Sequence, residues 1–233
     1  MRTRGTRLGG VMAMLPLALA GCMASAGANG GMGMGAGSRQ ADVNAHAFTS
    51  AVDASEVQQG MLAQQRATRQ AVRDFATRMV TEHTSALQMR ESRMAQLGMG
   101  LGLRSDAWTA ASGGTTTSGS VGSGSMNASA GGGTMLSSSG MTTLQSALLA
   151  NPASRPVMEA APAALQQLQS LSGAAFDRGY VDAQVQAHQY ALQNLDRMIA
   201  SGTLSPEVLG VMRTMRAAVA SHLEMAAQLR AQL

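Results

Sequence analysis

The chain has 233 residues, of which 13% are charged and 3% are aromatic, and its formal net charge is +4. Three arginines stand at the extreme N-terminus, so the rest of the chain carries 14 basic residues against 13 acidic ones. This balance excludes the basic stripe that nucleic-acid binding requires, and we expect no nucleic-acid partner. A single cysteine, Cys22, excludes an internal disulfide framework.

The first predicted element is a secretory signal over residues 1–21. Arginines precede an apolar run at residues 11–20, which is too short to span a bilayer. The run closes with Leu-Ala-Gly-Cys ending at Cys22, which resembles the bacterial lipobox, where the signal is cut before a cysteine that receives acyl chains. We therefore predict that Cys22 is lipidated and that the protein reaches the membrane through this anchor. An ordinary export signal with a chance cysteine is the alternative.

The residues after the cysteine bear on sorting and on the tether. Met23 and Ala24 follow Cys22, and neither is the Asp that the sorting rule of enteric bacteria associates with inner-membrane retention. That resemblance implies an outer-membrane lipoprotein facing the periplasm. Residues 22–40 are predicted to form a flexible tether rich in Gly, Ala, Met and Ser. The tether offers thioethers that could bind Cu(I), against the plainer interpretation of an apolar spacer, at Met32 and Met34.

Two pairs of long helices follow and predict an all-α protein, a four-helix bundle. Apolar residues recur at helical spacing over residues 43–67, 68–97, 174–200 and 205–232. Gly98 supplies a left-handed C-cap for the second helix, and Ser205 supplies an N-cap for the fourth. We expect one hairpin at residues 41–98 and the other, preceded by short helical pieces, at residues 143–233.

Between the hairpins, residues 99–142 are predicted to form a disordered insert. Gly, Ser and Thr dominate residues 105–140, which carry no helix or strand pattern. Short helices near residues 143–149 and 161–171 are expected to follow, in a region broken by prolines. Because the insert could cross the bundle from end to end, an up-down-up-down order and a crossover order with the second and third long helices parallel both stay open.

Each long helix carries one ionisable residue inside an otherwise apolar stripe. These residues are Glu56, His83, His188 and His222. Buried ionisable groups are costly without partners, so the placement needs an explanation. At a rise of ~1.5 Å per residue, all four lie near the middle of their helices, in one layer under either topology. Three imidazoles and a carboxylate converging there predict a site for one divalent ion such as zinc, iron, copper or manganese.

Two more residues on the stripe of His188 are predicted to orient an imidazole from behind the site: Asp177 and Gln184. The alternative interpretation is that each histidine is an isolated core residue, satisfied by a neighbour such as Gln184 or Tyr180. His46, near the start of the first helix, is expected to lie outside the layer.

A resemblance to a known family rests on motifs around these histidines. The motifs are Phe-Ala-x-x-Met-Val-x-x-His ending at His83, Phe-Asp-x-x-Tyr ending at Tyr180, and the downstream His188 and His222. They resemble a bacterial family of unknown function that is assigned a ferritin-like fold and is often described as predicted outer-membrane or exported protein. The resemblance covers residues 41–97 and 165–229. It implies the bundle and the export, and it brings no established activity.

The histidines lack the spacing of di-iron bundles. Those sites use Glu-x-x-His, and here the residue three positions before each histidine of the layer is Val80, Val185 or Val219. Too few carboxylates are present to hold two irons, so a mononuclear site is the metal-site interpretation that remains.

The sequence as a whole favours a non-enzymatic, lipid-anchored protein of the cell envelope with a binding or stress-related role. A protein that binds a metal at the mid-bundle layer is the first alternative. An envelope enzyme is the second, and it is disfavoured because the chain has no nucleophile motif such as Gly-x-Ser-x-Gly.

Overall fold

The computed structural model of the protein describes residues 36–102, 108–110, 134–136 and 138–233. Helices make up nearly all of this part of the chain, and the all-α class predicted from the sequence is confirmed. The helices are α1 (Ala36–Arg66), α2 (Gln70–Gln96), α3 (Ser138–Ala150), α4 (Arg155–Gln169), α5 (Gly173–Ala200) and α6 (Pro206–Arg230). Two short strands, β1 (Trp108–Ala110) and β2 (Thr134–Leu136), pair antiparallel with Trp108 opposite Leu136.

The strands correct the prediction for the connection between α2 and α3. The sequence predicts disorder over residues 105–140, whereas β1, β2 and the first residues of α3 lie within that range. Each strand has only three residues, too few to show an alternating pattern against a Gly/Ser/Thr background. Residues 103–107, 111–133 and 137 lie outside the described residues, as do the predicted signal and most of the predicted tether.

The bounds of α1 and α4 differ from the predicted ones, as does the start of α3. α1 begins at Ala36 rather than near residue 43, and the Arg39 guanidinium in its first turns donates a hydrogen bond to the Gly98 carbonyl at 2.9 Å. Gly98 has a φ of +67°, which is the left-handed conformation expected after α2. α4 runs through Pro162 instead of starting near it. Pro156 lies in the first turn of α4, where the missing N–H leaves no hydrogen bond unmade.

Hydrogen bonds at the helix ends fix the directions of the long helices. Thr68 and Arg69, which precede α2, donate backbone N–H groups to the Asp177 carboxylate near the start of α5 at 2.8 and 3.0 Å. The backbone N–H of Ser205, before α6, donates to Asp42 near the start of α1 at 3.0 Å. α2 and α5 are therefore parallel to each other, and so are α1 and α6. This is the crossover order of the two that the sequence leaves open.

α4 carries the chain back along the bundle. The side-chain amide of Asn151, just before α4, donates to the side chain of Asn44 in the third turn of α1. The backbone carbonyl of Gln169, at the end of α4, accepts from Arg66 at the end of α1. α4 therefore runs beside α1 in the same direction. The connection from α2 to α5 thus includes an ordered helix that returns the chain to the end where α5 begins.

The four long helices α1, α2, α5 and α6 share a core. One cluster of buried side chains takes residues from all four of them, including Ala63, Met79, Tyr180 and Ala226. The opposite face of α1 packs against α3 and α4 through Ala47, Ala51, Ala54, Leu144 and Leu148. Because α1 is covered on both faces, its buried residues do not form a single stripe. The stripe around Glu56 accordingly holds few apolar residues in the sequence, namely Ala45, Val52 and Ala63.

The described helices fall short of the requirements of a membrane span. None of those in residues 36–102 and 138–233 is both long and apolar enough to cross a bilayer.

Candidate metal centre

The centre consists of three histidines from three helices: His83 on α2, His188 on α5 and His222 on α6. All three side chains are buried in the core. Their ring centroids are 5.2 Å apart between His83 and His222, 5.4 Å between His188 and His222, and 5.9 Å between His83 and His188. One ring nitrogen of each histidine lies within 4.8 Å of one ring nitrogen of each of the other two. The helix directions bring these residues to one level of the bundle, and we call them the histidine triad.

In each ring of the triad, one nitrogen is hydrogen-bonded to an acceptor outside the triad. His83 Nδ1 lies 2.8 Å from Asp53 Oδ1, and His222 Nε2 lies 2.6 Å from Glu82 Oε2. His188 Nδ1 lies 2.8 Å from the backbone carbonyl oxygen of Gln184, one turn earlier on α5. A carbonyl oxygen and an ionised carboxylate only accept hydrogen bonds, so in each ring the outer nitrogen carries the proton.

The remaining nitrogens are those that can ligate. His83 Nε2, His188 Nε2 and His222 Nδ1 are buried, and none has a hydrogen-bond partner among the residues that the structure describes. In a neutral ring whose outer nitrogen is protonated, the other nitrogen carries a lone pair. In their neutral forms, the three rings therefore each offer one buried lone pair to an ion. This pairing of one hydrogen-bonded and one available nitrogen is the usual arrangement of metal-binding histidines.

The two carboxylates behind the triad are held in their ionised forms. Burial alone would raise the pKa of Asp53, but the Arg90 guanidinium, which donates to its Oδ2, and the His83 ring lower it overall. Burial likewise acts to raise the pKa of the half-exposed Glu82, but the hydrogen bond and charge of His222 and the Arg78 guanidinium together outweigh it, so this pKa is lowered. Both carboxylates are therefore available as acceptors at neutral pH.

The three imidazoles differ in their affinity for a proton. Burial lowers the pKa of His188 and of His222 below the ordinary value of 6.5. Burial also acts to lower the pKa of His83, but the hydrogen bond and charge of Asp53 reverse the effect and raise it. The triad thus contains two rings that favour the neutral, ligating form and one ring that competes for a proton.

Glu56 lies close to the triad without belonging to it. Its side chain is 1% exposed, and its Oε2 atom has no hydrogen-bond partner within the described part of the chain. The charge of Glu56 acts to raise the pKa of His83 and of His188. The group of ligand atoms within 4.8 Å of one another consists of the three histidines alone. Glu56 therefore adds a buried carboxyl group whose electrostatic effect reaches two rings of the triad.

The structure corrects the roles predicted for Asp177 and Gln184. The Asp177 carboxylate accepts from the backbone N–H groups of Thr68 and Arg69 and from the Thr68 hydroxyl, so it joins α5 to the start of α2 instead of orienting an imidazole. Gln184 does orient His188, but through its backbone carbonyl. Gln184 thus satisfies one nitrogen of His188, as the alternative of core histidines with neighbouring partners expects, and that alternative stays open. The Tyr180 hydroxyl and the Gln184 side chain bond to no histidine among the described residues.

The fourth histidine, His46 on α1, has a different environment. Its Nε2 lies 2.8 Å from Glu91 Oε2, and its Nδ1 lies 3.5 Å from the Ser50 hydroxyl. The Glu91 carboxylate also accepts from the backbone N–H of Leu101 at 2.7 Å. His46 is fully buried and is not part of the triad.

Sequence reasoning missed the groups that hold the triad in place. Asp53 lies one turn before Glu56 in a run of small apolar residues, Glu82 directly precedes His83, and Arg90 follows His83 by two turns on the same face. An Asp inside an otherwise buried helical segment is the signal that could have found the pairing with His83 and Arg90. Glu82 gives no such signal, because its half-exposed position is ordinary for a charged residue.

The fold and this site define an all-helical protein with a buried three-histidine centre. Comparison with known families assigns the chain more narrowly. It belongs to the family described as a domain of unknown function (DUF4142), whose sequence pattern matches residues 32–111 and 134–229. No curated protein and no solved structure matches the chain.

Proposed function

We propose that the protein binds one divalent transition-metal ion at the histidine triad, in a non-enzymatic role in the cell envelope. The observation that carries this proposal is the arrangement of the three rings. Each has one nitrogen hydrogen-bonded to Asp53, to Glu82 or to the Gln184 carbonyl, and each leaves its other nitrogen available in the same buried spot.

The spacing of the ring nitrogens suits a metal ion after a small adjustment. Zinc–nitrogen bonds of ~2.0–2.1 Å place tetrahedral ligands ~3.4 Å apart. The triad nitrogens lie within 4.8 Å of one another, so a bound ion would draw the rings inward. Without an ion, the three unbonded nitrogens stay buried without a hydrogen-bond partner among the described residues, which costs free energy. A cation removes this cost, which supports a metal as the partner of the triad.

The donor set favours some ions over others. Imidazole suits zinc, copper and iron, whereas manganese prefers oxygen ligands. With one carboxylate, Glu56, beside three imidazoles, we expect affinity to rise from Mn²⁺ through Fe²⁺ to Cu²⁺, with Zn²⁺ below Cu²⁺. The charge of Glu56 has no ion-pair partner in the described residues, so it favours a cation in the triad. The same set contains too few carboxylates for two irons, and the proposed site is mononuclear.

The helix order supports a ferritin-like assignment of the fold. Ferritin-like bundles have one long crossover connection, so that the second and third helices of the bundle run parallel. α2 and α5 are parallel here, and α3 and α4 lie in the connection between them. We propose that α1, α2, α5 and α6 form a ferritin-like four-helix bundle that has histidines at mid-height in place of the usual Glu-x-x-His pairs.

The envelope location rests on the N-terminal sequence. Cys22 and the tether methionines Met32 and Met34 lie outside the described residues, so their roles stay predictions. We propose that Cys22 is acylated and anchors the protein to the outer membrane, with the helical domain in the periplasm. Cell fractionation tests this anchor. The Cys22→Ala variant is expected in the soluble fraction or unprocessed, and a cleaved variant that stays with membranes would show that the anchor lies elsewhere.

Isothermal titration of metal-stripped protein tests metal binding. Wild type is expected to bind one equivalent of Zn²⁺ or Cu²⁺, and the His188→Leu variant, which keeps a similar side-chain volume, is expected to lose at least ~100-fold in affinity. The matched control is His46→Gln, which replaces a buried histidine outside the triad and should bind as wild type does. Equal affinity in wild type and His188→Leu would overturn the proposal, as would the absence of heat for Zn²⁺, Cu²⁺, Fe²⁺ and Mn²⁺.

A further inference from the structure

We propose that the metal ion of the triad keeps one coordination position for a small exogenous ligand, a water molecule or a small anion, held by Tyr180 and Gln184. The inference rests on the proposed metal binding and extends it. It assigns a ligand site to polar groups on α5 that the triad itself does not use.

Three buried side chains, two on α5 and one on α1, carry polar atoms with no hydrogen-bond partner in the described ranges. They are the Tyr180 hydroxyl, both amide atoms of Gln184, and Oε2 of Glu56. Tyr180 and Gln184 are 0% exposed and Glu56 is 1% exposed. At least ~90% of buried polar groups in proteins have a partner, so four buried atoms without one point to a ligand.

The helix geometry and the electrostatics connect these atoms to the triad. Tyr180, Gln184 and His188 are spaced four residues apart, so they lie on one face of α5 in successive turns. The charge of Glu56 acts on Tyr180, where it adds to the effect of burial in raising the pKa, and also on His188 and His83. Glu56 therefore interacts electrostatically with the Tyr180 hydroxyl and with the rings of both His83 and His188.

The chemistry of the three side chains matches a metal-bound water or small anion. Tyr180 offers an O–H donor, the Gln184 amide offers N–H donors and a carbonyl acceptor, and the Glu56 carboxylate accepts. A metal-bound water needs acceptors for its protons, and a metal-bound anion needs donors. Three histidines leave a four-coordinate ion with one position open, as in zinc sites that bind a water molecule.

The packing limits the ligand to a few atoms. The Tyr180 ring packs edge-on against Phe75 with centroids 6.2 Å apart, and Met79, Val181 and Val185 complete a fully covered core around this region. A large substrate has no room between these side chains. We therefore choose azide, a small linear anion, as the probe.

The experiment uses protein loaded with Co²⁺, whose visible absorption reports its coordination, and titrates it with azide. Azide is expected to shift the cobalt spectrum of wild type with saturation. Because a hydrogen bond to a charged group is lost, Tyr180→Phe is expected to weaken azide binding by roughly 10-fold while it leaves cobalt affinity unchanged. Tyr190→Phe is the matched control, since Tyr190 is the other tyrosine of α5 and packs against Phe48 away from this region. It should bind azide as wild type does.

Gln184→Leu provides a second variant, because it removes the amide and keeps the backbone carbonyl that holds His188. The same weakening of azide binding is expected. A protein that binds cobalt but shows no azide-dependent shift would overturn this inference and leave the metal site standing. Azide affinity unchanged in both Tyr180→Phe and Gln184→Leu would overturn the assigned roles of these side chains. Failure to bind cobalt at all would overturn the metal site and the inference together.

Discussion

Two buried histidine sites lie in the same bundle and differ in what surrounds the rings. His46 has both nitrogens near polar side chains, Nε2 at 2.8 Å from Glu91 and Nδ1 at 3.5 Å from Ser50. In the histidine triad, each ring has one nitrogen bonded and the other without a partner in the described structure. Both ring nitrogens of His46 therefore have polar partners. One ring nitrogen of each triad histidine has none among the described residues.

This difference shows why burial alone does not identify a ligand. All four histidines are at most 4% exposed, and burial acts to lower the pKa of every one of them. The triad differs from His46 in the surroundings of the second ring nitrogen. In His46 this nitrogen lies near the Ser50 hydroxyl, whereas in each triad ring it has no hydrogen-bond partner among the described residues. The variants below change the side chains that bond to the rings and so test this difference between the two sites.

The largest effect is expected from Asp53→Ala. Asp53 is fully buried and accepts from both Arg90 and His83, so its removal leaves a buried guanidinium without its partner. Breaking a buried ion pair in this way costs about 3–5 kcal/mol in the free energy of unfolding. Urea denaturation of the metal-free protein measures it. Asp196→Ala, which breaks an exposed pair with Arg216, is the control and should change stability little. Equal stability of the two variants would show that Asp53 does not hold α2 in place.

A smaller effect is expected from Glu82→Gln. The substitution keeps a hydrogen-bond acceptor for His222 Nε2 but removes the carboxylate charge that makes the ring a better ligand. Changes to such partners typically lower metal affinity by ~10–100-fold, and we expect the lower end because Glu82 is half-exposed. Competition against a chromophoric chelator measures the affinity. Glu224→Gln, which changes an exposed carboxylate two residues after His222, should have no effect. A loss of affinity in Glu224→Gln as large as in Glu82→Gln would point to net charge instead of ring orientation.

The smallest effect concerns the pH dependence of stability without metal. The pKa values of His46, His188 and His222 are lowered from 6.5, so below that pH the unfolded chain takes up protons that the folded chain resists. These three residues make stability fall as the pH drops below 6.5. His83 acts in the opposite direction, because its pKa is raised, and its stabilising contribution is lost as the pH rises above 6.5.

The His46→Gln variant separates the two sites in this measurement. Gln donates a hydrogen bond to Glu91 as His46 does, but it does not titrate. The variant is therefore expected to lose less stability than wild type between about pH 7 and pH 5, with the remaining loss due to the triad. Denaturation curves across this range measure the difference. An identical pH profile for wild type and variant would mean that the pKa of His46 is the same in the folded and the unfolded chain.

The bounds of the long helices could be predicted from the sequence more accurately than the hydrogen bonds between side chains of different helices. Helical spacing of apolar residues located α5 and α6 within two residues, and the buried positions of α6 on the stripe of His222 agree with the pattern. Ser205 caps α6 as expected, with its hydroxyl accepting from the Val208 N–H at 3.3 Å. Such local features depend on near neighbours in the chain, which is why a single sequence contains them.

The hydrogen bonds of the site are not local, and the sequence did not supply them. Asp53 and Glu82 lie on α1 and α2, and they meet His83 and His222 only through the packing of different helices, across 30 and 140 residues of chain. In the sequence, Asp177 stands out only because it lies on the same helix face as His188. The contact of Asp177 with Thr68 depends on the parallel arrangement of α2 and α5, which the sequence left open.

Anomalous diffraction from crystals of the zinc-loaded protein tests the metal centre most directly, because it locates the ion and identifies the ligating atom of each ring. A single zinc site is predicted at ~2.0–2.1 Å from Nε2 of His83, Nε2 of His188 and Nδ1 of His222. Asp53 and Glu82 should remain hydrogen-bonded to the other nitrogens of their rings. Zinc bound at His46 and Glu91, or only at surface carboxylates while the triad stays empty at saturating zinc, would contradict the account.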